Sequence, residues 1–297
     1  MKPLKTFTSI RDLVRYAVSR FTEAGLFFGH GSDNAYDEAV YLILHTLRLP
    51  VDRLEPFIDA KLLKSEVKTV IDIIEQRIKS RKPAAYLTKE AFLGDYRFYI
   101  DERALIPRSF IAELIPEQFS PWIEDPDNID SVLELCTGSG CLAIMLADAF
   151  PYAQIDATDI SSDALEVAKI NVKEYGLNER VNLIKSDIYE NIKPKRYQLI
   201  VANPPYVNNN SMKYLPEEYL HEPQNALAGG KDGMDLVRKI VNEAKNHLTD
   251  NGILVVEIGN EYENAINAFD NLELTWLPTS GGDDRVFLIE ANQLPSR

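Results

Sequence analysis

Four consecutive residues, Asn203-Pro204-Pro205-Tyr206, carry the most specific chemistry in this 297-residue chain. A planar NH2 group has a delocalised lone pair and is a poor nucleophile, yet it can attack an electrophilic methyl group without losing a proton first, provided it is oriented. The side-chain oxygen of Asn203 and the main-chain carbonyl of Pro204 can each accept one of its hydrogens and so turn the lone pair toward the methyl. Tyr206 can stack on the flat group, and no histidine or carboxylate base is required. Asn-Pro is also a common turn dipeptide, so the position of the motif decides its meaning. It closes YQLIVANPPY, an apolar run that its prolines must end, because they cannot continue a sheet ladder. The motif therefore sits at the C-terminal end of a buried strand, where ligands of open parallel sheets collect.

Three earlier strand ends carry matching groups. SVLELC runs into Thr137-Gly138-Ser139-Gly140 and then a helix from Cys141; glycines allow close backbone approach and a helix start offers free N–H groups. Such a turn fits a ligand-free bend equally well. Asp159 ends QIDATD about 20 residues after the glycines, the place from which a carboxylate accepts hydrogen bonds from ribose hydroxyls. Asp187 ends VNLIKSD in the same way. Together these point to a nucleoside site, which NAD would also satisfy; the fourth strand, with its Asn-Pro-Pro-Tyr end, favours methyl over hydride transfer.

The elements that position these residues follow from hydrophobic patterning. Beyond residue 111, apolar strands alternate with helices, including one from Ser162 and one from Asp232 and ending with the strand GILVVEIG. This predicts an α/β, Rossmann-like domain over 111–297, with a mostly parallel sheet covered on both faces. LELTWLP and RVFLIEA, separated by Ser280-Gly281-Gly282-Asp283-Asp284, are expected to pair antiparallel at its edge. Residues 1–90 read as a small helical domain. Its stripes are Ile10, Leu13, Val14, Ala17, Phe21, then Val40, Ile43, Leu44, Leu47, then Val67, Val70, Ile71, Ile74, Ile78, stopping at Arg81-Lys82-Pro83. Residues 91–110 read as a linking β-hairpin that turns at Gly94-Asp95.

Composition narrows the function classes. A formal charge of −14 argues against direct nucleic-acid binding, which relies on lysine and arginine, and suits a basic protein partner. No apolar run is long enough to span a bilayer, and MKPLKTFTSIRDLVRYAVSR lacks the apolar stretch of a secretory signal, so a cytoplasmic location is expected. The two cysteines, Cys136 and Cys141, and four scattered histidines form no metal-ligand spacing; no metal is expected. His30 belongs to a polar loop in which Asp33 or Asn34 caps the next helix. Glu217-Glu218 and His221-Glu222-Pro223 form either a solvated loop or a surface recruiting a basic substrate.

At this point the chain resembles, over essentially its whole length, the class I S-adenosylmethionine-dependent methyltransferases of the protein-(glutamine-N5) type. The resemblance rests on the helical N-terminal domain, the hairpin, ELCTGSGC, NPPY and AGGKDGMDLVRKI. GHGSDNAYDEAVYLILHTLRLP, ALIPRSFIAELI and SGGDDRVFLIEA are similar to the branch acting on large-subunit ribosomal protein three. Phe110 stands where that branch usually has proline, and Cys136 replaces the first glycine of the general methyltransferase turn. The other branch acts on the Gly-Gly-Gln loop of peptide chain release factors. The resemblance implies that Glu134, Cys136, Thr137, Gly138, Ser139, Gly140, Asp159, Asp187, Ile188 and Asn203 bind S-adenosylmethionine. It implies that Asn203, Pro204, Pro205 and Tyr206 hold a glutamine amide in the substrate protein, with Arg108 and Glu257 lining the approach. The rival expectations are release-factor methylation, adenine N6 methylation of nucleic acid, and a non-catalytic assembly factor that retains the fold.

Overall fold

The computed structural model describes residues 7–295; residues 1–6 and 296–297, the outer ends of the two expected domains, lie outside the described residues. By its contacts the chain divides into two compact units. One runs to Glu90 and also includes Pro216–His221; the other comprises Ala91–Leu215 and Glu222 onward.

The first unit is helical. In α1 (Ile10–Glu23) Ser9 and Asp12 cap each other's backbone N–H groups, and α2 (Ala35–Thr46) starts where Asn34 Oδ1 accepts from Tyr36 N and Asp37 N, both at 3.0 Å. After α3 (Lys64–Ser80) the helix stops at Arg81 with φ +59°, and a short α4 (Ala84–Thr88) follows Pro83. Leu13, Ala17 and Phe21 pack with Leu42, Ile43, Val70 and Ile74. The face of α2 turned inward runs Ala39, Leu42, Ile43; Val40 and Leu47, expected in that stripe, are its half-buried flanks.

The inward face of α3, Val67, Val70 and Ile74, ends on an arginine in the last turn. Arg77 is 1% exposed; its Nε donates to Glu38 Oε1 at 2.7 Å and its Nη1 lies 3.5 Å from Glu218 Oε1. Arg81 reaches the same Glu218 oxygen at 3.0 Å. Two arginines thus neutralise two buried carboxylates, and the late segment Pro216–His221 joins the helical unit through Glu218. The recruiting role considered for Glu218 is thereby corrected: it is buried and committed to arginines of its own chain. His30 is buried beside the Tyr219 ring, 4.4 Å between centroids, within the same unit rather than in an open polar loop.

In the second unit, β1 (Glu90–Leu93) and β2 (Tyr96–Tyr99) form a hairpin about Gly94, φ +56°. Its second strand is tied to the rest of this unit: Asn171 Oδ1 accepts from Tyr99 N at 2.8 Å and its Nδ2 donates to Tyr99 O at 3.0 Å. After α5 (Ile111–Leu114) come β3 (Ser131–Leu135), α6 (Cys141–Ala149), β4 (Gln154–Asp159), α7 (Ser162–Glu174), β5 (Val181–Lys185) and β6 (Tyr197–Ala202). Then follow α8 (Asp235–His247), β7 (Leu248–Glu257), α9 (Tyr262–Ala268), β8 (Thr275–Thr279) and β9 (Gly282–Glu290).

The seven strands from β3 onward form one sheet, ordered β5-β4-β3-β6-β7-β9-β8 and parallel except where β9 pairs with β7 and β8. Successive residues point to opposite faces, and here both faces are dry. Val132, Val201 and Val255 pack with α6, while Leu133, Ile200 and Leu254 pack with α8. Two boundaries differ from the expectation. Gly233, φ +81°, cannot continue a helix, so α8 starts at Asp235 and Asp232 instead accepts from Met234 N at 3.1 Å and holds Arg238. The edge turn is Ser280-Gly281, with Asp283 and Asp284 inside β9.

Replacing Arg77 with methionine leaves Glu38 and Glu218 buried without its charge. This should cost about 3–5 kcal/mol, the range for breaking a buried ion pair, measured by urea unfolding of the full chain; a loss below about 1 kcal/mol would show that the pair is not load-carrying.

Candidate active site

The strand order reverses between β3 and β6, which lie side by side with Val132 opposite Leu199 while their chain neighbours depart to opposite edges. This switch point is where a doubly wound sheet binds ligands. A cavity of about 280 Å³ opens there, wholly within the second unit. Its floor is made by successive strand ends: Glu134 within β3 and Cys136, Thr137, Gly138 and Ser139 after it, Asp159 as the last residue of β4, Asp187 and Ile188 after β5, and Asn203 and Pro205 after β6. Residues 103–109 form another wall with Pro223, Asn225 and Ala226, and α8 contributes Leu236 and Lys239. Of the expected site residues, Gly140, Pro204, Tyr206 and Glu257 are not on the cavity wall.

The β3 turn is held open by groups around it. Asp159 accepts from Gly138 N at 2.9 Å and from Ser161 N at 2.8 Å, and Asn171 donates to Ser139 O at 2.9 Å. Gly140, φ +80°, packs against Ala168, where an added Cβ would come within 3.1 Å. An added Cβ on Gly138, φ +56°, would meet no protein atom within 4 Å, and the residue lines the cavity. Cys136 has φ +60° and Ile188 φ +50°, values that cost a side-chain-bearing residue about 1–2 kcal/mol and that cluster at ligand sites. The first explains why a glycine usually occupies the Cys136 position.

Burial around the turn favours the neutral forms of its acids and thiols. Burial pushes the Glu134 carboxyl up to about 8, and nearby Asp159 adds to the shift despite the hydrogen bond from Thr137. Burial also raises Asp159. Both thiols are raised by burial, Cys141 to about 12, so neither is a nucleophile near neutral pH.

Asn203 is oriented from across the cavity. Its Nδ2 donates to the Arg108 carbonyl at 3.2 Å; a carbonyl can only accept, so the NH2 end must face it and the oxygen is the end left for a ligand. The Arg108 guanidinium forks onto Glu222 at 2.6 and 2.7 Å, and Glu222 also accepts from Ile106 N at 3.2 Å. Glu222 is 2% exposed, which removes it too from any recruiting surface. Glu257, expected to line the approach, lies behind the wall: one oxygen accepts from Tyr206 Oη at 3.1 Å, the other from Ser109 Oγ at 2.6 Å and Phe110 N at 2.8 Å. The backbone of Tyr206 lies so close to Gly229 and Gly233 that a Cβ there would approach it to 2.6 and 2.2 Å. Sequence reasoning missed Glu222, Asn171 and the purpose of these glycines; the AGGKDGMD segment was the available signal for the last.

The pattern of a methyltransferase small domain matches residues 123–231. The ribosomal protein uL3 glutamine methyltransferase of Burkholderia pseudomallei (strain K96243) is 59% identical over 98% of this chain and 97% of its own. The chain belongs to the family of these glutamine methyltransferases. A member with the same description from Neisseria meningitidis serogroup A / serotype 4A (strain DSM 15465 / Z2491) is 56% identical over 97% of this chain and 94% of its own. Another, from Francisella tularensis subsp. tularensis (strain SCHU S4 / Schu 4), is 43% identical over 96% and 91%. Among solved structures, a ribosomal protein L11 methylase from Lactobacillus delbrueckii subsp. bulgaricus superposes with a TM-score of 0.41 at 18% identity, over 60% of this chain and 74% of that one, a likeness too loose to bear on function.

For this methyltransferase the raised Glu134 sets a pH dependence. A carboxyl raised in the fold favours its neutral form, so its contribution to stability is complete below the ordinary glutamate value and is lost as pH rises through about 8. Glu134→Gln removes that titration. The melting temperature of the unmodified chain should therefore fall relative to E134Q between about pH 5 and about pH 9; a gap that stays constant across this range contradicts the assignment.

Proposed function

We propose that this chain transfers the methyl group of S-adenosylmethionine to the side-chain amide nitrogen of a glutamine in ribosomal protein uL3. Full-length kinship with the uL3 glutamine methyltransferases carries the choice of substrate, and the chemistry of the site agrees with it. When bound, the cofactor supplies an electrophilic methyl group on a positively charged sulfur. The cavity suits it: the turn of Cys136, Thr137, Gly138, Ser139 and Gly140 takes the amino-acid end beside Glu134, Asp159 accepts from the ribose hydroxyls, and Asp187 with Ile188 borders the adenine.

On the substrate side, Asn203 Oδ1 and the Pro204 carbonyl accept the two hydrogens of the glutamine amide, while Pro205 stiffens the loop and the Tyr206 ring stacks on the amide plane. This orients the nitrogen lone pair and needs no base before attack, since the proton leaves a far more acidic nitrogen once the methyl has transferred. Arg108 acts through its carbonyl, with its guanidinium held by Glu222. The helical unit formed by residues up to 90 recognises the substrate protein, residues 91–110 connect it, and residues from 111 onward catalyse. The −14 charge favours encounter with a basic ribosomal protein. Among the described residues no helix is long and apolar enough to cross a membrane, and the reaction is assigned to the cytoplasm.

Purified enzyme, labelled S-adenosylmethionine and uL3 should give one N5-methylated glutamine by mass spectrometry, while release factor and nucleic acid stay unlabelled. Asn203→Ala should lower kcat about 100-fold or more, the penalty for losing orientation of the reacting group. Label on release factor or on adenine instead of uL3 would overturn the substrate, and undiminished transfer by N203A would overturn the role of Asn203.

A further inference from the structure

Glu257 terminates β7, the strand beside β6, whose end leads into Asn203. It is 2% exposed, and among the described residues no cationic side chain lies within ion-pair range. A buried carboxylate without a counter-ion is expensive, and here the cost is offset by donors alone: Tyr206 Oη to one oxygen at 3.1 Å, and Ser109 Oγ at 2.6 Å, Phe110 N at 2.8 Å and Ile111 N at 3.4 Å to the other. An apolar side chain here would leave these donors without their acceptor, so the carboxylate and the groups it receives fix one another in place.

Its two oxygens lead to the two sides of the Asn-Pro-Pro-Tyr segment. One holds the Tyr206 ring directly. The other fixes the backbone at Ser109 and Phe110, immediately after Arg108, whose carbonyl takes the NH2 of Asn203 at 3.2 Å. Both arms end on rings seated against glycine: a Cβ on Gly259 would come within 2.5 Å of the Tyr206 ring, and one on Gly281 within 2.4 Å of the Phe110 ring. Each ring thus fills the space that a side chain at its glycine would need, while the carboxylate binds the Tyr206 hydroxyl and the Phe110 N–H. We infer that Glu257 is a positioning residue for methyl transfer, one buried carboxylate that fixes both the Tyr206 ring and, through the Arg108 carbonyl, the orientation of the Asn203 amide. Glu257 is absent from the cavity wall, so it acts on the acceptor geometry and not on cofactor binding. The inference rests on the proposed glutamine transfer only for its kinetic consequence.

Glu257→Gln tests it with little change of volume. A single amide oxygen can serve one arm fully, while the NH2 group faces the donors of the other. In the full-length enzyme E257Q should lower kcat about 10- to 100-fold, with KM for S-adenosylmethionine within about 2-fold of the unmodified value. The loss should be smaller in a Tyr206→Phe background, where one arm is already gone. The second readout is independent of turnover: the side-chain amide NMR resonance of Asn203, assigned by its disappearance in Asn203→Asp, should shift in E257Q. An unchanged resonance with unchanged kcat overturns the inference. So does an equal loss of cofactor affinity, or the same loss of kcat in both backgrounds, since each marks a general structural role. If the unmodified chain fails to methylate uL3, the proposed substrate is wrong, and the Asn203 resonance still decides the role of Glu257.

Discussion

Which end of the Asn203 amide faces the cavity is settled by one hydrogen bond, to the carbonyl of Arg108. The segment that carries this carbonyl is in turn held by several neighbours. The Arg108 side chain is held by Glu222, the residues after it by Glu257, and the Phe110 ring by its seat on Gly281. Five separated stretches of sequence therefore converge to orient a single amide. The energetic logic is that orientation is fixed during folding, so little reorganisation remains when the methyl moves. A loop carrying Asn203 without these supports would retain the right atoms and lose the alignment.

The sheet was legible because its central strands, β3, β6 and β7, are buried on both faces, which gives near-continuous apolar runs that few other structures require. The strand-end groups were legible from where the runs stop, as at Asp159, Asp187 and Asn203, although Glu134, Asp156 and Asn182 are polar and lie inside their strands. Helix starts were legible where a capping side chain does the work, as Asn34 does for α2. The start of α8 was not, because it depends on the φ of Gly233, whose conformation is imposed by the passing Tyr206 backbone rather than by its immediate neighbours.

The acidic residues show where sequence reasoning runs out. Glu217, Glu218 and Glu222 lie within six positions of one another, and composition alone gives them one character, that of a solvated loop. Folding gives them different fates. Glu217 keeps 70% of its side chain exposed, Glu218 is buried with Arg77 and Arg81, and Glu222 is buried under Arg108. The partners lie more than a hundred positions away, and no local pattern encodes them. The position of Glu257 at a strand end was visible in the same way, whereas the side of the wall it occupies was not: that follows from the donors of residues 109–111, which the sequence does not place beside β7.

The glycines around Tyr206 and Phe110 form one side of paired surfaces. Gly229 and Gly233 in AGGKDGMD are the space that the Tyr206 backbone requires, Gly259 is the space for its ring, and Gly281 in SGGDD is the space for Phe110. A side chain at any of these glycines would push on Tyr206 or Phe110, so their small size is a condition of this local packing. The same holds for the charges. Glu222 and Glu257 both end at backbone N–H groups as well as side chains, and a carboxylate that receives several converging donors defines a position more sharply than one ion pair can. In this enzyme, acids that composition would assign to solvent or substrate serve instead to define where an uncharged amide must lie.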